Sequence, residues 1–121
     1  MLIQRGPDQV FVNFDQIRIV TCVGKDAVRI DFGGESQSCD ASAPGGREFI
    51  DTLIARLTVD RERFLCLSDG GRFLNLRHAL AVTFLASGTV LVLFPGRQKE
   101  TFPRGNDSDA IRRAVMAMEN G

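Results

Sequence analysis

Apolar residues in this chain come in short blocks rich in Val, Ile, Phe and Thr, separated by clusters of Gly, Pro, Asp and Ser. Blocks of that length and composition predict strands, and the breakers between them predict tight turns. An opening strand is expected at Leu2-Ile3, a turn at Gly6-Pro7-Asp8, and a second strand from Val10 to Phe14. A third runs from Gln16 to Val23, turns at Gly24-Lys25-Asp26, and returns as a fourth from Ala27 to Phe32. A weaker extended segment, Ser36 to Cys39, follows Gly34. Beyond the polar stretch 40–46 the period changes, and Phe49, Ile50, Leu53, Ile54 and Leu57 recur at helical spacing.

The series then starts again. Strands are expected from Phe64 to Leu67, Arg72 to Leu76, His78 to Leu85 and Thr89 to Phe94, with a weaker one from Gln98 to Phe102. Ser108 is the expected N-cap of a second helix carrying Ile111, Val115, Met116 and Met118. A shift of 62 positions lays Phe11-Val12-Asn13-Phe14 on Phe73-Leu74-Asn75-Leu76 and continues without a gap to Gly34 on Gly96, with seven identities in 24 pairs. A fixed-period match of this length predicts two copies of one supersecondary unit. Asn13 and Asn75 close the second strand of each copy, where an Asn side chain bonds the local backbone at a bend.

The expected fold class is α+β: a tandem duplication of a four- or five-stranded antiparallel sheet plus one helix, related by a pseudo-two-fold. The boundaries are residues 1–58 and 59–121. Each copy alone buries little surface, so the two are expected to share a core as one domain, 1–121. The helices are amphipathic and need a receiving sheet face. Strand parity nominates Ile17, Ile19, Val28, Ile30 and Phe32 for it.

Composition narrows the functional field. Fifteen basic residues balance fifteen acidic ones, so no global field draws in nucleic acid or an acidic membrane. The N-terminal apolar run is broken by Arg5, Asp8 and Asp15, which leaves no signal-peptide core and no spanning segment, and the expected compartment is the cytoplasm. Cys22, Cys39 and Cys66 are odd in number and lack zinc-ligand spacing, so neither a metal nor an internal bridge is expected. His78 is the only histidine, nothing resembles a nucleophile elbow, and the glycine pairs match no phosphate loop or dinucleotide fingerprint. The chain reads as non-enzymatic and without a cofactor.

The tandem order of four strands and a helix resembles the Whirly family over nearly the whole chain. That resemblance implies single-stranded DNA held on strand surfaces and association through the helices. The second half, along Phe64-Leu65-Cys66-Leu67, Gly71-Arg72-Phe73-Leu74-Asn75-Leu76 and the Thr89 to Phe94 strand with Gly96, also resembles the short flagellar FlbD family, which corresponds to a single copy of the unit.

A single-strand groove wants basic walls and aromatic platforms. Here net charge is zero and Tyr and Trp are absent. The leading expectation is therefore a binding or scaffold domain acting through protein contacts, and the alternative a single-stranded DNA or RNA binder. For the alternative, the candidate contacts are Arg18, Arg29 and Lys25 in the first copy, extended by Arg97 and Lys99 in the second. For the former, the outward face of the second copy reads Leu80, Val82, Phe84, Leu91 and Leu93, against Arg18, Val20, Cys22, Arg29 and Asp31 in the first. A face so apolar needs cover, and a symmetric homodimer is the expected one.

Overall fold

The computed structural model describes residues 2–5 and 10–120. It is α+β, with ten strands in antiparallel sheets and two helices among those residues. The strands are β1 (Leu2–Arg5), β2 (Val10–Asn13), β3 (Ile19–Val23), β4 (Ala27–Asp31) and β5 (Ser36–Asp40), followed by helix α1 (Gly46–Val59). Then come β6 (Phe64–Leu67), β7 (Arg72–Asn75), β8 (Ala81–Phe84), β9 (Val90–Phe94), β10 (Gln98–Phe102) and helix α2 (Asn106–Asn120). The expected Gly6-Pro7-Asp8 turn lies outside the described residues.

Local hydrogen bonding also recurs between the halves. Single-turn 3-10 helices follow β2 and β7, at Phe14–Gln16 and Leu76–His78. The Asn13 side chain accepts from the Asp15 N–H at 3.1 Å, and the Asn75 side chain accepts from the Arg77 N–H at 3.1 Å. The Arg18 N–H donates to the Asp31 carbonyl, as the Leu80 N–H does to that of Leu93. Both asparagines thus cap a backbone bend, as their sequence positions suggest.

The strands do not sort into one sheet per half. A central sheet runs β5-β4-β3-β7-β6, so β3 of the first half pairs with β7 of the second. Strands β1 and β2 form a separate pair, and β8, β9 and β10 a separate three-stranded sheet. One face of the central sheet carries Val20, Val28, Ile30, Phe64 and Phe73, and packs on α1 through Phe49, Ile50, Leu53 and Leu57. The opposite face carries Ile19, Leu67 and Leu74 into a second core with Val90, Val92, Phe94, Phe102 and Ile111.

Two sequence expectations are corrected. The receiving face for α1 holds Val20 with Val28 and Ile30, while Ile19 points the other way, because β3 begins only after the 3-10 turn and its parity is offset by one. Helix α2 starts at Asn106 rather than after Ser108. Ser108 is buried in the first turn, where its hydroxyl oxygen lies 2.9 Å from both the N–H and the carbonyl of Gly105.

Candidate functional site

Two turns occupying equivalent places in the halves face one cleft. The β4–β5 turn contributes Gly33, Gly34 and Glu35, and the β9–β10 turn contributes Pro95, Gly96 and Arg97. Arg18, Arg29, Asp31, Ser36 and Gln98 complete the lining of an open volume of about 450 Å³. The geometry comes from left-handed backbone: Gly34 and Gly96, which the 62-position shift of the sequence superposes, have φ of 87° and 79°. At such angles a glycine avoids the Cβ clash that any other residue meets.

Each cation in the cleft has a different standing. Arg29 lies mid-β4, opposite Thr21 on β3 and Ser38 on β5, on the face turned away from α1. It is exposed, and among the described residues its side chain has neither ion pair nor hydrogen bond. Arg97 is also exposed, its side chain is unpaired among the described residues, and it holds a left-handed φ of 65°. Arg18 is engaged: one terminal nitrogen donates to the Pro95 carbonyl and to the Gln98 side-chain oxygen, both at 2.8 Å. The Gln98 amide in turn donates to Asp31 at 2.7 Å, whose other oxygen accepts the Gly33 N–H at 2.7 Å. Three guanidiniums thus stand against two carboxylates, and one of those, Asp31, is already hydrogen-bonded.

The other expected contacts fall elsewhere. Lys25 is exposed in the β3–β4 turn at the far end of the hairpin, where its carbonyl accepts from Arg47 at 3.0 Å. Lys99 is exposed on β10 opposite Leu93, on the strand face away from Gln98. Structure therefore brings Arg18, Arg29 and Arg97 together and leaves out Lys25 and Lys99. Gln98 and Gly33 were not nominated as contacts from sequence, and Asp31 was read only as a position on the outward face of the first copy. The available signal was the alignment of Gly33-Gly34 with Pro95-Gly96, which marks the two turns as equivalent.

The five apolar positions proposed as one outward face divide between two. Val82 and Phe84 pair with Val92 and Val90 and pack, partly buried, against the second core. Leu91 and Leu93 share the opposite face with Thr83 and Ala81. Leu93 is 38% exposed, and Leu80, just before β8, is 66% exposed. His78 donates from Nε2 to the Asp15 carbonyl at 2.9 Å and so ties the two 3-10 turns together. The cysteines are free, with Cys39 buried, Cys22 half-buried and Cys66 exposed. No helix among the described residues is long and apolar enough to cross a membrane.

No known protein family matches the chain, and no curated protein is similar to it in sequence. In fold it is similar to a LytTr DNA-binding domain from a Bacillus cereus protein described as a methyl-accepting/DNA response regulator. The TM-score is 0.60 at 13% identity, over 94% of this chain and 95% of that one. This overturns the Whirly-type assignment, which rested on element order.

Proposed function

We propose that this chain is a non-enzymatic nucleic-acid-binding domain whose ligand is DNA, contacted at the cleft between the β4–β5 and β9–β10 turns. The observation that carries the reading is the pair Arg29 and Arg97, two exposed guanidiniums in the lining of a glycine-containing cleft, without acidic partners among the described residues. Elsewhere Arg47, Arg63, Arg72 and Arg77 pair with carboxylates and Arg112 stacks on Phe84, while the exposed Arg56, Arg61, Arg104 and Arg113 do not line the cleft. A fold shared with a DNA-binding domain over nearly its full length supports the reading, although fold alone does not fix function. Zero net charge is no obstacle, since local clusters, not the global sum, meet phosphates.

The ligand fits better as a backbone-contacted duplex than as a stacked single strand. Among the described residues Phe11 is the one largely exposed phenylalanine, and it does not line the cleft. Without a stacking platform, affinity must come from phosphates. Fluorescence polarisation against duplex and single-stranded DNA across a salt series tests this. Binding should weaken with salt, and Arg29→Met or Arg97→Met should each reduce the slope of log K against log salt by about 0.9 for duplex. No binding at low salt, or slopes unaltered in both variants, overturns it.

The same reading treats residues 1–58 and 59–121 as duplicated units of one domain, working in the cytoplasm. Self-association of that domain is favoured by Leu80 and Leu93, both exposed on the second half.

A further inference from the structure

Arg18 lines the cleft, and its bonds bracket the strained part of the β9–β10 turn. Gly96 and Arg97 are consecutive left-handed residues, a conformation that is strained for arginine because its Cβ crowds the following carbonyl. The residues on either side, Pro95 and Gln98, are both held by the same nitrogen of Arg18. Gln98 passes the restraint to Asp31, and Asp31 to the Gly33 N–H of the opposite turn. The Arg18 guanidinium is also pressed on Gly33, where an added Cβ would stand 2.1 Å from its Cζ, and lies 5.9 Å from the Phe94 ring centre.

We propose that Arg18 is a positioning residue: with Gln98 and Asp31 it forms a latch that locks the two turns together and holds Arg97 in its left-handed, outward-facing state. This rests on the reading of the cleft as the DNA contact. Arg18 then contributes to binding through the placement of Arg97, not by neutralising a phosphate itself. The nitrogen that binds Pro95 and Gln98 is committed to protein acceptors, and the guanidinium it belongs to is packed over Gly33. Gly33 is required twice over, by its φ of 87° and by the guanidinium lying against it.

The test separates placement from charge. Arg18→Met and Gln98→Met are compared with Arg97→Met in the full chain, with a DNA duplex titrated across a salt series. The latch variants should lose about tenfold in affinity with the wild-type salt slope, whereas Arg97→Met should flatten the slope by about 0.9. Gln98→Met removes the link while keeping every charge, so it guards against a trivial charge effect. By NMR, the Gly96 and Arg97 amide order parameters should fall from about 0.85 toward 0.6 or below in both latch variants, and stay high in Arg29→Met. Gly33→Ala should reproduce the Arg18→Met result. An Arg18→Met slope as flat as that of Arg97→Met would make Arg18 a direct contact, and unchanged affinity or an ordered turn in the latch variants would remove the latch. If the wild-type protein binds no DNA, the functional reading falls, and the order of the turn alone decides whether the latch exists.

Discussion

Cys22, Cys39 and Cys66 illustrate how far the environment of one atom sets its chemistry. Burial pushes the Cys22 thiol above the ordinary range, and the neighbouring Cys66 adds to the shift. Since the thiolate is the reactive form, Cys22 should react slowly at neutral pH and gain speed beyond the pH where an ordinary thiol levels off. Cys66 is exposed and should react first; Cys39, at 4% exposure, should wait for unfolding. A disulfide-exchange titration, native and then denatured, should resolve one fast, one slow and one hidden thiol. Three equally fast thiols would contradict this packing. In the cleft, Glu35 is the carboxylate that no hydrogen bond from Gln98 restrains, so Glu35→Gln should tighten DNA binding by a factor of about two to five, read from the same polarisation titrations.

The two capping asparagines separate what elements owe to sequence from what they owe to packing. Asn75 is fully buried; besides its cap bond, its amide donates to the Ile17 carbonyl at 2.9 Å, and its own N–H donates to that of Arg18. Asn13 is exposed. Replacing Asn75 by Ala strands a buried carbonyl and should cost about 1–3 kcal/mol, while the same change at Asn13 should cost no more than a cap, about 1 kcal/mol. Urea melts of both variants would show the difference, and equal losses would count against the buried role. Both bends were legible in the sequence, because Asn and the turn residues around it act locally. Strand faces were less so. Carrying the third strand through from Gln16 ignored the 3-10 turn, and one residue of offset reversed the faces of Ile19 and Val20. The cleft was half legible: its arginines stood out as charges, but the Arg18–Gln98–Asp31 chain joins residues far apart in sequence, which no local pattern encodes.

At the scale of the molecule, the exposed leucines of the second half predict concentration-dependent association. Leu93→Lys should abolish any dimer seen by light scattering for the wild-type chain, without loss of fold by circular dichroism; a wild-type monomer at high micromolar concentration would end that reading. The ladder of β3 on β7 has a different consequence, one that concerns synthesis. Residues 19–21 pair with 72–74, so the chain leaving a ribosome offers β4 its partner at once but leaves the other edge of β3 bare until the second half follows. At roughly 5–20 residues per second that interval lasts about 3–10 seconds. During it Phe73, Leu74 and Phe64 have not yet arrived to close the two cores. Ribosome-bound chains stalled before β7 emerges should therefore remain open to proteolysis within the first half, and those stalled just after it should become resistant. If protection instead came as soon as α1 was out, the first half would be finishing its fold without the strand that completes its sheet.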